Sequence, residues 1–134
     1  MIADALGARD RVLLATGERF PDALTAGAAA SDEGVVLLTP RERPHPGIDA
    51  YLADAPKASA HAVGGPAARA YPEAEALAGV DRVETAVRVA ERFRPSPSHV
   101  GLARADDFAD AVTGEAHIAE LAGPIPDSRI APSL

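Results

Sequence analysis

A chain of 134 residues is enough for one packed domain, and its net charge of −7 weighs against nucleic acid or an anionic membrane as a general partner, because counterion release needs clustered Lys and Arg. Aromatics are 4% of the residues and Trp is absent, so the core must be built from Ala, Val, Leu and Ile. The lack of Cys removes a disulfide framework, a thiolate nucleophile and a zinc-thiolate site, and leaves the redox compartment unread.

Met1-Ile2-Ala3-Asp4 has no basic stretch followed by an apolar one, so no secretory signal is visible. Arg11 to Thr16 is a short apolar run stopped by Gly17, which predicts a buried strand. Pro21 to Ser31 follows as a helix, with Pro21 suited to its first turn and Asp22 favourable at the positive end of the dipole. Val35 to Thr39 is a second buried strand ended by Pro40, and Gly47 to Ala53 a short helix. Ser59 to Val63 is a third strand, and Pro66 to Leu77 a helix entered through Gly64-Gly65. None of these apolar runs approaches the roughly 20 residues that cross a bilayer, so no membrane insertion is expected.

Asp81-Arg82-Val83-Glu84 has the spacing of a capping box, with Val83, Val87, Ala90 and Phe93 as the apolar stripe of a helix ending near Phe93. Pro95 and Pro97 lead to a strand at Val100 to Ala103 and a helix at Ala109 to Leu121. Alternating strands and helices with nearly continuous apolar strands predict an α/β fold, a parallel sheet covered by helices on both faces.

The sequence also repeats itself. Phe20-Pro21-Asp22-Ala23-Leu24-Thr25 returns as Phe108-Ala109-Asp110-Ala111-Val112-Thr113, an offset of 88 residues that holds back to Val12 and Val100 without a gap. One supersecondary module is therefore used more than once. The predicted division is 1–8 as the end of a preceding repeat's helix, 9–94 as a complete repeat, 95–122 as a partial second repeat and 123–134 as an irregular tail. The first assignment rests on the likeness of Ile2-Ala3-Asp4-Ala5-Leu6 to Val89-Ala90-Glu91-Arg92-Phe93.

Leu14-Ala15-Thr16-Gly17-x-x-Phe20-Pro21-Asp22-Ala23-Leu24, Val36-Leu37-Leu38-Thr39-Pro40, Val63-Gly64-Gly65 and Gly79-Val80-Asp81-Arg82-Val83-Glu84-Thr85-Ala86 occur in that order. Together they closely resemble the cell wall-binding repeat 2 family over roughly residues 9 to 121. The resemblance implies Rossmann-like or flavodoxin-like modules, commonly three in tandem, in bacterial surface proteins. Such repeats anchor their proteins non-covalently to anionic cell-wall polymers, so the implied partners are that polymer and further copies of the repeat in cis or in trans. The implied location is the cell surface. Two positions depart from the pattern: Val83 replaces an aromatic residue, and Val35-Val36-Leu37-Leu38 replaces Pro-Ile-Leu-Leu.

Ligands of such sheets sit beyond the carboxyl ends of the strands, where Gly17-Glu18-Arg19, Thr39 to His45 and Gly64-Gly65 gather. Arg41 and Arg43 are candidate polymer-binding residues, because guanidinium forks hold phosphate or carboxylate groups. The alternative is a solvated loop in which Glu42 offsets both. Val36, Leu37, Leu38 and Thr39 are candidates by resemblance, with burial in the sheet as the competing role of the three apolar side chains. Phe20, Asp22, Phe108 and Asp110 mark a recurrent helix start, and Asp22 has Arg82 as a possible partner. Gly64 and Gly65 form a turn, and Asp81, Arg82 and Glu84 form the entry of the last helix of the repeat.

Gly-x-Gly-x-x-Gly is absent, and Pro66 removes an amide that would face a phosphate. His45, His61, His99 and His117 have no metal-ligand spacing, and no nucleophile elbow or paired-carboxylate arrangement recurs in both copies. No cofactor and no catalysis are expected. The leading reading is a non-catalytic cell-wall attachment module. The alternatives are an intracellular flavodoxin-like domain for a small ligand or nucleotide, and a degenerate fragment without independent activity.

Overall fold

The computed structural model describes residues 10–31, 33–104, 106, 112 and 114. Phe108, Asp110, segments 1–8 and 123–134, and nearly all of the expected helix from Ala109 to Leu121 lie outside the described residues. Among the described residues eight elements are seen: β1 (Arg11–Thr16), α1 (Phe20–Ala30), β2 (Gly34–Thr39), α2 (Pro46–Asp54), β3 (Ser59–Val63), α3 (Gly65–Ala70), β4 (Glu75–Leu77) and α4 (Arg82–Phe93). The four strands form one parallel sheet in the order β2-β1-β3-β4.

Alternation along β1 fixes both layers of the core. Val12 and Leu14 join Val35, Leu37 and Ala62 on one face, beneath Ile48 and Tyr51 of α2 and Ala67 and Ala70 of α3. Leu13 and Ala15 join Val63 and Leu77 on the other, beneath Ala26, Ala29 and Ala30 of α1 and Val89 of α4. Helices thus cover both faces. Leu13 and Leu14 are fully buried, each stabilising the fold by about 2–3 kcal/mol relative to an exposed position. The small side chains of α1 let its axis lie close to the sheet, which is how a core poor in aromatics is filled.

The expected helix Pro66 to Leu77 is corrected by the structure. It stops at Ala70, and Glu75–Leu77 pairs with His61, Ala62 and Val63 as a fourth parallel strand. Pro72 is the cause: the residue before a proline is pushed out of the helical region, and Tyr71 has φ −131° and ψ 72°. The expected strand Val100 to Ala103 is also reduced, to a single bridge residue at buried Ala103, which follows exposed Val100 and Leu102. Among the described residues this run has no paired strand to extend it.

Entry into α4 follows the capping prediction. Asp81 Oδ1 accepts the amides of Val83 and Glu84 at 2.9 and 3.0 Å, while Glu84 reaches back to the amide of Val80 at 2.9 Å, one residue before the cap. Thr85 Oγ1 takes the amide of Gly79 at 2.9 Å. Asp81→Ala is expected to cost about 1 kcal/mol in denaturant unfolding and Asp81→Asn much less; equal losses from both would mean that the cap contributes through charge alone.

Candidate functional site at the carboxyl edge of the sheet

Three connections meet at the carboxyl ends of the strands. Gly17 donates its amide to Thr39 O at 3.0 Å, tying the β1–α1 turn to the end of β2. Thr39 is buried, and its hydroxyl lies 3.3 Å from Ala15 O and 3.2 Å from Arg41 O. The chain then turns sharply: Arg41 has φ +52°, a left-handed conformation that L-residues seldom adopt. His45 closes the loop by donating its amide to the Tyr71 hydroxyl at 2.8 Å, and that hydroxyl donates to Asp49 Oδ1 at 3.0 Å. Burial pushes the Tyr71 phenol above its ordinary pKa, so it stays a neutral donor.

Gly64 and Gly65 lie where the strand order reverses between β1 and β3. Gly64 has φ +85° and donates its amide to Leu77 O at 3.0 Å. Its bare Cα accommodates the Asp22 carboxylate, which a Cβ would strike. Burial raises the Asp22 pKa, and the nearby charges of Arg82 and Arg19 act in the opposite direction. Gly65 instead makes room for a cation, since a Cβ there would lie 3.1 Å from Arg69 Nη1. Adjacent glycines therefore seat a carboxylate and a guanidinium. A phosphate placed at this reversal would face Asp22, which disfavours the nucleotide-binding alternative.

Outside this pair the edge is an array of exposed ion pairs. Arg41 Nε donates to Glu18 Oε1 and Oε2 at 2.7 and 2.9 Å, and Arg69 Nη2 donates to Glu42 Oε1 at 2.6 Å. The arginine side chains remain 76% and 59% exposed, accessible to an incoming anion. Hydrogen bonding to Glu18 raises the Arg41 pKa, and hydrogen bonding to Glu42 raises that of Arg69. The same Arg69 bond holds Glu42 below the usual carboxylate range.

The structure separates the sequence candidates. Arg41 and Arg43 stand in the exposed loop after β2, but Glu42 does not offset them; its partner is Arg69, and Arg41 is held by Glu18. Leu37 and Thr39 are buried, Val36 is half-buried against the α1 face, and Leu38 is 56% exposed. Burial, expected for all three apolar residues, fails for Leu38, which lies near the carboxyl end of the edge strand β2. Phe20 is partly exposed, and the charge of Arg82 favours the ionised form of Asp22. Arg69 was not legible as a site residue: it sits in the last turn of a short helix, and its pairing with Glu42 comes from the loop after β2. Among the described residues no group of three or more His, Asp or Glu could hold a metal, and no helix is long and apolar enough to cross a membrane.

The family model for cell wall binding domain 2 matches residues 1–70 and 76–126. Among solved structures the chain is similar to Cwp6 from Clostridium difficile, with a TM-score of 0.74 and 20% identity over 89% of this chain and 21% of that one. Cwp8 from Clostridium difficile is similar with a TM-score of 0.70 and 20% identity, over 90% of this chain and 23% of the other. The chain thus spans about a fifth of the length of these structures, and at this identity the likeness is one of fold. No curated protein matches it in sequence.

Proposed function

The chain belongs to the cell wall binding domain 2 family, and on that premise we propose that it is a non-catalytic module that holds a bacterial surface protein to an anionic cell-wall polymer through the carboxyl edge of its sheet. The observation that carries this reading is the pair of exposed guanidinium groups, Arg41 and Arg69, on one edge of an otherwise acidic chain. Guanidinium matches the fork geometry of phosphate and carboxylate groups, and on a protein of net charge −7 such donors must be local to act. Leu38 adds an exposed apolar contact beside Gly17. Attachment of this kind gains from repetition, because each further repeat, in cis or in trans, adds avidity without new chemistry. The proposed partial second repeat at 95–122 fits that use. The cell surface is the proposed location.

Co-sedimentation with bacterial cell walls, before and after removal of their anionic polymers, tests the reading. Binding is expected to vanish with the polymer and to weaken with salt. Arg41→Ala with Arg69→Ala is expected to weaken it about tenfold at low salt, with less effect at high salt, while Arg43→Ala has a smaller effect. Unchanged wall binding by the double variant would overturn this assignment of the site.

A further inference from the structure

We propose that Glu18 and Glu42 set the ligand selectivity of this edge by competing for its arginines. The inference rests on the anionic-polymer reading and deepens it. Both guanidinium groups are already engaged: Arg41 by Glu18 from the β1–α1 turn, and Arg69 by Glu42 from the loop after β2. An incoming anion therefore exchanges one partner for another rather than filling an empty donor. Because each resident carboxylate is tethered within the same chain, its effective concentration exceeds that of an isolated group on a ligand. A polymer with sparse charges cannot displace both at once. One with closely spaced anionic groups can, since the second exchange is intramolecular once the first has occurred.

The arrangement supplies the repulsive half of specificity as well. Displaced Glu18 and Glu42 remain beside the ligand as negative charges. Arg41 and Glu42 are consecutive, so a ligand reaching one guanidinium passes the carboxylate that guards the other. Glu42 is held below the ordinary carboxylate range by Arg69, so near neutral pH it stays ionised and the competition persists. Dense phosphate is favoured over isolated carboxylate by this geometry.

The test compares the full chain with the Glu18→Gln, Glu42→Gln double variant, using fluorescently labelled linear polyphosphate as the dense probe and hyaluronan as the sparse one, across a salt series. Asp54→Asn with Glu91→Gln is the control, since it changes net charge equally at exposed positions on α2 and α4 outside the edge. The native chain is expected to bind polyphosphate and to discriminate against hyaluronan. The double Gln variant is expected to bind hyaluronan about 3- to 10-fold more tightly, narrowing the ratio between probes, while the control leaves that ratio unchanged. If the native chain binds polyphosphate but the ratio does not narrow, or narrows equally in the control, the competition is overturned and the anionic-polymer reading stands. Failure of both the native chain and the double Gln variant to bind polyphosphate at low salt would overturn the underlying reading and this inference with it.

Discussion

Gly64→Ala is expected to lower stability by about 3 kcal/mol, roughly 10 °C in Tm for a chain of this size. Two costs combine. An L-residue at the φ of +85° found at Gly64 carries about 1–2 kcal/mol of backbone strain. The added Cβ would also strike Oδ2 and Cγ of Asp22, forcing that half-buried carboxylate out of the position in which the charges of Arg82 and Arg19 act on it. A double-mutant cycle separates these costs. In an Asp22→Ala background the carboxylate is gone and only the strain remains, so Gly64→Ala there should cost about half as much. Equal losses in the two backgrounds, measured by denaturant unfolding, would show that the glycine serves the backbone alone and that the β1 and β3 turns are not coupled through Asp22.

This contact also shows where reading the sequence runs out. The strands β1, β2 and β3 and helix α4 were legible within one residue, because buried parallel strands are continuous apolar runs with breakers at their ends, and Asp81 with Glu84 announces a helix start. Strand β4 was not. Three residues are too few to display alternation, and the informative signal was Pro72, which had to end the preceding helix. The glycine pair was legible as a turn, whereas its two occupants were not: Asp22 and Arg69 reach it from different elements, and no local pattern records that convergence. Arg41 was legible as a loop arginine of the required chemistry. Its engagement by Glu18 was hidden, because an ion pair between two turns depends on the sheet order that brings β1 beside β2. Short-range periodicity determines which segments bury; charge pairing at an edge is settled only when the edges meet.

The opposite, amino edge of the sheet gives the second large prediction. His61 on β3 has 2% of its side chain exposed, with Nδ1 2.9 Å from Glu75 Oε2 of β4 and Nε2 3.2 Å from Ser59 Oγ. The approach to Glu75 does not form a well-made hydrogen bond, so it compensates burial only in part. Phe93 of α4 meets the imidazole edge-on at 4.9 Å, and the guanidinium groups of Arg11 and Arg92 lie over the Phe93 ring. Burial lowers the His61 pKa below 6.5; Glu75 opposes this, while Arg92 and Arg11 reinforce it. The folded state therefore favours neutral imidazole. Its contribution to stability is complete above pH 6.5 and is lost as the pH falls from there through the folded pKa, because the unfolded chain binds the proton first.

Two other groups act elsewhere on the pH axis. Glu75, whose pKa is lowered chiefly by its hydrogen bond to Arg92, loses its contribution only below 4.5. Asp22, raised above 3.8, works in the reverse sense: its ionised form opposes folding, and that cost is relieved as acid protonates it. Among the described groups with a shifted pKa, the first acid-sensitive step below pH 6.5 therefore belongs to His61, with a slope of at most about 1.4 kcal/mol per pH unit. Denaturant unfolding of the native chain from pH 7.5 to 5 should show that slope, and His61→Gln, though less stable at pH 7.5, should show a flatter one. Identical slopes would assign the acid sensitivity to another group. The two edges would then differ in kind: mild acid weakens the packing of β3, β4 and α4 while Arg41, Arg69 and Glu42 keep their charges. Loss of polymer binding near pH 5.5 should accordingly follow the unfolding curve, and the fraction still folded should retain the salt dependence it shows at neutral pH.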